Sequence, residues 1–372
     1  MPSRVHPMRH LTATAALAAA LAVAAPAAPA VAAIVWPVHD GDFVVRDFRF
    51  RSGETLPELR LHYATLGTPA RDAKGHVTNA VMVLHGTGGS GRQFLRPQFA
   101  DELFGPGQPL DIQKFYVVLP DGIGHGKSSK PSDGLHARFP AYGYEDMVAA
   151  QHRLLTEGLG VDHLRLLMGT SMGCMHGFIW GEAHAAFMDA LMPLACLPVP
   201  IAGRNRMWRR MLIDAIREDP AWKGGEYTSE PLGALRTASD LLSLAGSAPL
   251  YLQATLATRD AADARVEETT AANLASLDAN DLLYAVSASR DYDPSAHLED
   301  IKAPVTWINS ADDFINPPEL GIAEREAKRL RHGRFILIPA GPDTRGHGSH
   351  TWAVLWKRHL VALLAESAPA AP

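Results

Sequence analysis

The chain has 372 residues, 47% of them hydrophobic and 20% charged. That balance belongs to a globular protein and excludes a disordered chain, a collagen and a long coiled coil. A formal net charge of −5 argues against a nucleic-acid or anionic-membrane partner.

The first segment stands apart. Met1 to His10 carries Arg4 and Arg9 and no acid, and Leu11 to Ala25 is almost wholly Ala, Leu and Val. Pro26, Pro29 and the small residues Ala30-Val31-Ala32-Ala33 follow. A basic start, a short apolar run and an Ala-x-Ala site predict a secretory signal peptide over 1–32, hence a secreted or periplasmic protein. The apolar run of 15 residues is short of the roughly 20 that span a bilayer, so no membrane partner is expected after cleavage. An uncleaved anchor or a low-complexity start is the alternative. The rest fits one large domain with an insertion, or two domains.

Short apolar or β-branched runs then alternate with longer amphipathic ones. Strands are expected at 43–50, 60–66, 79–84, 115–120, 164–168, 190–196, 304–309 and 334–339. Helices are expected at 144–159, 172–188, 317–330 and 349–365. This alternation predicts an α/β fold with a mostly parallel sheet covered on both faces. The stretch 198–298 has helical patterns, as at 207–217, 237–244 and 261–274, but no strand. It is too long for a loop and reads as a helical cap over the strand ends. The core is thus expected at 33–197 and 299–366, with a frayed tail at 367–372. The two cysteines, Cys174 and Cys196, make no disulfide framework. Buried free thiols are expected, with a single bond as the alternative.

In parallel sheets chemistry gathers in loops at the carboxyl ends of strands. Gly169-Thr170-Ser171-Met172-Gly173 follows one strand and opens a helix, the setting of a nucleophile elbow. A serine hydroxyl needs a base to take its proton, and an acid to orient that base. The loop after 304–309 offers Asp313, with Asp312 as the alternative. The loop after 334–339 offers His347, with His350 as the alternative. His332 and His359 read as structural. A metal pair of His347 and His350, joined by His85 or His125, has no supporting spacing. The oxyanion donors expected are the N–H groups of Met172 and of Thr87, in the loop His85-Gly86-Thr87-Gly88-Gly89-Ser90-Gly91. That loop lacks the Gly-Lys-Ser/Thr ending of a phosphate-binding loop.

These residues resemble the α/β-hydrolase superfamily, and more narrowly its homoserine O-acetyltransferase-like branch. The likeness rests on FPAYGYEDMVAAQHRLLTEGL at 139–159, GTSMGCMHGFIWGE at 169–182 and AIREDPAWKGGEY at 215–227. With DFINPP and GHGSH it runs over most of 43–364. The resemblance implies a triad of Ser171, Asp313 and His347. It also implies a serine that accepts an acyl group from acyl-CoA and passes it to an amino-acid hydroxyl. Thr170, Cys174 and His176 stand where those transferases usually have Gly, Gly and Gln, and GHGSH replaces GHDAF. Arg204, Arg206, Arg209 and Arg210 are expected on a solvated face, with a role in holding a carboxylate as the alternative.

The expected chemistry is acyl transfer through a serine ester of a small-molecule acyl substrate, with no cofactor or metal. An exported enzyme lies outside the compartment where acyl-CoA is made, so water is the expected acceptor and the activity that of an esterase. A CoA-dependent acyltransferase and a non-catalytic binding protein are the alternatives. A homodimer is compatible with this reading.

Overall fold

A computed structural model describes residues 34–368. The expected signal peptide and all but the first two residues of the expected tail lie outside the described residues.

The sheet follows from strands apolar on both faces. Val81 and Val83 of β3 (Ala80–Leu84) pack into one core layer, while Met82 and Leu84 pack into the other. Such two-sided burial suits a parallel strand between helices. Among the described residues eight strands take the order β1-β2-β4-β3-β5-β6-β7-β8. The others are β1 (His39–Arg49), β2 (Thr55–Leu66), β4 (Tyr116–Pro120), β5 (Leu166–Thr170), β6 (Leu191–Leu194), β7 (Val305–Ser310) and β8 (Gly333–Ile338). β1 pairs antiparallel with β2, and β2 with β4. From β4 to β8 every pairing is parallel.

The order turns back between β3 and β5. Chain connections leave these neighbours in opposite directions, so a crevice opens at their carboxyl ends. The loop after β3 and the turn after β5 both empty into it.

Helices α1 (Pro97–Leu103), α2 (Tyr144–Arg153) and α3 (Met172–Ala183) belong to the first part of the sheet. α2 ends in one wide turn, Leu154–Gly158, before Gly160 at φ +60 stops it. Between β6 and β7 come α4 (Gly203–Glu218), α5 (Leu232–Ala245), α6 (Pro249–Thr255), α7 (Arg259–Leu274) and α8 (Ala279–Ser287). α4, α5 and α8 share a core of their own, around Trp208, Leu212, Leu235 and Leu283. They are tied to the sheet domain by the Tyr284 hydroxyl, which donates to the carbonyls of Ala137 and Phe139. Last come α9 (Ile322–Ala327) and α10 (Lys357–Glu366).

Several expected elements differ in extent. The helix expected at 317–330 is confined to α9, because Gly321 adopts a left-handed φ of +59 in front of it. The helix expected at 349–365 forms only as α10, since the preceding segment is tightened into two short 3-10 turns. α1, α6 and α8 are too short to show a clear period. Among the described residues no helix is long and apolar enough to cross a membrane.

The expected free thiols are corrected. Cys174, in the first turn of α3, and Cys196, just past β6, form a disulfide across 5.8 Å between their Cα atoms. α3 runs back antiparallel to β6, so its first turn lies beside the carboxyl end of that strand and the two cysteines come within bonding reach. Both are fully buried. The bond closes a loop with a sequence separation of 22 residues. Converting both cysteines to alanine is expected to lower unfolding free energy by about 2–4 kcal/mol. Urea denaturation checks this, and a change below about 0.5 kcal/mol contradicts it.

Candidate active site

Ser171 occupies the turn between β5 and α3 at φ 54, ψ −111, a region that residues with a side chain rarely enter. The glycines on either side make the turn possible. A Cβ on Gly169 would collide with the Gly173 carbonyl, and one on Gly173 with the Leu84 carbonyl. With both absent, α3 lies against β3 in backbone contact. The serine side chain projects from the strand end at the positive end of α3.

Asp313 and His347 arrive from β7 and β8, the far strands of the parallel run. His347 Nε2 lies 2.8 Å from Ser171 Oγ, and His347 Nδ1 lies 2.9 Å from Asp313 Oδ2. Asp313 is buried. Burial pulls its pKa upward, but His347, Asn316 and the Ile315 N–H outweigh burial and hold it below the ordinary carboxylate value. It therefore stands as an anion at neutral pH. The arrangement is able to pass a proton from serine to imidazole and to stabilise the imidazolium.

The two sequence alternatives find other places. Asp312 accepts from Thr344 Oγ1 at 2.6 Å and from the Gly346 N–H at 3.2 Å, so it anchors the loop that carries His347. His350 is half-buried with its ring 5.3 Å from that of His347, and desolvation lowers its pKa to about 3. It stays neutral and touches neither Ser171 nor Asp313 through a hydrogen bond.

The N–H groups of Met172 and Thr87 donate to no group among the described residues. Gly86 lies directly on the serine, where a Cβ would sit 3.2 Å from Ser171 Cβ. The loop is held from below by His85, which accepts from the Gly122 N–H at 2.9 Å. Burial lowers the His85 pKa to about 4, so it is a neutral strut. Among the described residues no three His, Cys, Asp or Glu side chains are grouped to hold a metal ion.

Two residues escaped sequence reasoning. Asn316 donates to Asp313 Oδ2 at 2.9 Å and to the Ala195 carbonyl at 3.1 Å, joining the acid to the end of β6. Its signal was an amide three residues after the acid. Arg209, expected on a solvated face, is 2% exposed, because its side chain turns inward onto Ser289, just past α8. Arg204 and Arg210 remain exposed, the latter paired with Asp214.

A groove of about 750 Å³ reaches Asp313 and Met175, with Val199, Ile201, Phe314 and Ile315 on its walls. A second, of about 500 Å³, reaches Gly88 and Gly89 and carries Arg92, Lys130, Asp278 and Asp281.

Comparisons with known proteins agree with this fold. The family model for the alpha/beta hydrolase fold matches residues 79–344. A probable acyltransferase from Methanothermobacter thermautotrophicus is 30% identical over 75% of this chain and 84% of its own. A homoserine O-acetyltransferase from Thermobifida fusca is 32% identical, but the match spans 48% of this chain and half of that protein. Among solved structures, an acetylester hydrolase from Corynebacterium glutamicum superposes with a TM-score of 0.77 at 21% identity, covering 88% of this chain and 96% of its own.

Alanine at Gly169 or Gly173 forces the elbow apart and is expected to cost about 1–3 kcal/mol. Thermal unfolding of the two variants checks this. A melting temperature equal to that of the unaltered protein in both contradicts the backbone-contact account.

Proposed function

This chain belongs to the α/β-hydrolase family, and we propose that it is a serine esterase that splits small acyl esters through a seryl acyl-enzyme. The observation that carries the reading is the continuous hydrogen-bond line from Ser171 through His347 to Asp313. His347 takes the Oγ proton as Ser171 adds to the acyl carbonyl. The carbonyl oxygen becomes an oxyanion facing the Met172 and Thr87 N–H groups. Collapse breaks the ester bond, and the departing alcohol takes the proton back from His347. Water then repeats the sequence on the acyl-serine and releases the acid. The apolar walls of the larger groove suit the hydrocarbon part of an ester.

The second reading is transfer of the acyl group to a hydroxyl acceptor. Its support is the likeness to the acyltransferases, which carry that activity in their names. Two features weigh toward water. The leader-like segment at 1–32 points to export. The buried Cys174–Cys196 disulfide suits an oxidising compartment, away from acyl-CoA.

Ser171→Ala is expected to lower hydrolysis of p-nitrophenyl acetate by at least about 10⁴-fold and to abolish labelling by a fluorophosphonate. The unaltered protein is expected to hydrolyse that ester and to make no O-acetylhomoserine from acetyl-CoA and homoserine. Acetyl-CoA-dependent acetylation without esterase activity overturns the esterase reading in favour of the transferase.

A further inference from the structure

The loop that carries His347 is held from two sides. On the sheet side, Asp312 accepts from Thr344 Oγ1 and from the Gly346 N–H. Ser349 Oγ accepts from the Arg345 N–H at 2.8 Å and closes the turn. On the other side stands the helical segment between β6 and β7. Gly346, at φ +57, is packed on the chain that joins α5 to α6. A Cβ there would lie 2.4 Å from the Ser247 carbonyl oxygen and 3.3 Å from Ala248 Cα. The residue just ahead of the base thus rests on backbone.

Arg345 makes the second contact. Its Nη1 donates to the carbonyls of Pro342 at 3.1 Å and Thr344 at 3.0 Å, so the side chain folds back on its own loop. The guanidinium carbon lies 3.7 Å from the centre of the Tyr251 ring, on α6, and 4.5 Å from that of the Trp352 ring. A cation over a ring face is attracted by the negative charge of that face, more strongly where water is excluded. Arg345 Nε is buried without a hydrogen-bond partner, so ring faces stand where water would otherwise solvate the cation.

α6 has no other evident task. It has seven residues and buries none of them, and none joins the core shared by α4, α5 and α8. What its one aromatic side chain meets is the cation two residues before the base. That base must keep Nε2 at 2.8 Å from Ser171 Oγ and Nδ1 at 2.9 Å from Asp313 Oδ2 at once. The turn at Arg345 and Gly346 sets the direction in which the imidazole leaves the chain. A drift of about an ångström there costs up to roughly 100-fold in rate.

We propose that Tyr251 is a positioning residue for the general base: it holds Arg345, and through Arg345 the turn that aims His347 at Ser171 and Asp313. This rests on the reading of Ser171 as nucleophile and His347 as base. The groove of about 750 Å³ has Ser247 and Pro249 on its walls but not Tyr251. Loss of the ring therefore acts on kcat rather than KM.

The test uses Tyr251→Ala, Tyr251→Leu, Tyr251→Phe, Arg345→Met and the double variant Tyr251→Ala with Arg345→Met, all in the full chain. For each, kcat and KM on p-nitrophenyl acetate are measured beside the second-order rate of labelling by a fluorophosphonate, which reads the activated serine without turnover. Tyr251→Ala is expected to lower kcat and the labelling rate together, roughly 5- to 30-fold, with KM changed less than about threefold. Tyr251→Leu fills the space without a ring face and is expected to lose as much. Tyr251→Phe keeps the face and is expected to regain most of the loss. The double variant is expected to lose no more than the worse single one, as two residues on one path do. Unchanged kcat in Tyr251→Ala, a loss of kcat with the labelling rate unchanged, or a rise in KM alone overturns the proposal. So do equal losses in Tyr251→Phe and Tyr251→Ala, or losses that multiply in the double variant. Should Tyr251→Ala fail to fold, Tyr251→Leu against Tyr251→Phe decides, and equal activity in the two overturns the proposal. Failure of the unaltered protein to hydrolyse the ester or take the label sinks the esterase reading instead. An active unaltered protein with an indifferent Tyr251→Ala sinks this inference alone.

Discussion

The whole site depends on backbone lying against backbone where α3 meets β3. Gly173 rests on the Leu84 carbonyl, and Gly169 rests on the Gly173 carbonyl. Any side chain at either position pushes the helix off the sheet. That contact forces Ser171 into its positive φ and drives its hydroxyl into the crevice where the strand order reverses. It also brings Gly86 directly against Ser171, where a Cβ would sit 3.2 Å from the serine Cβ. The proposed nucleophile and the glycine loop after β3 are therefore one construction, made from two loops that a single close approach holds in register.

The proton-transfer partners are joined to that construction by a second set of bonds. The disulfide ties the first turn of α3 to Cys196. The Cys196 carbonyl accepts from Trp307 Nε1 and Asn309 Nδ2 on β7, and the adjacent Ala195 carbonyl accepts from Asn316, which holds Asp313. Asp312 then grips the loop of His347. A path of covalent and hydrogen bonds thus runs from the serine helix to the imidazole through the ends of β6, β7 and β8. Rigid mutual placement of this kind is what serine chemistry requires, since an ångström of slack between base and nucleophile is costly.

Much of this was legible in the residues because local chemistry demanded it. A strained turn needs small neighbours, so GTSMG announced the elbow, and the acid and base follow the last two strands in chain order. What stayed hidden depended on three-dimensional contact. Asp312 and Asp313 are identical in type, and only the direction of the loop after β7 separates an anchor from an orienting carboxylate. The cysteines are 22 positions apart, and nothing in that spacing says that α3 packs beside the end of β6. Arg209 sits in a basic helix whose period resembles a solvated face. Its burial is decided by Ser289, which lies far away in sequence. The short helices α1, α6 and α8 were missed because fewer than three turns carry little periodic signal.

The same scaffold serves relatives named for acyl transfer and neighbours named for ester hydrolysis, so fold alone does not choose the acceptor. What both chemistries share is a covalent acyl-serine, and that intermediate is the core of the account. The most direct measurement is rapid-quench mass spectrometry of the protein mixed with p-nitrophenyl acetate, followed by peptide mapping. The expected result is a nitrophenol burst equal to the enzyme concentration, with acetyl on the peptide carrying Ser171 that water then clears. Ester hydrolysis without a burst or an acyl adduct, or with the adduct on another residue, contradicts the account.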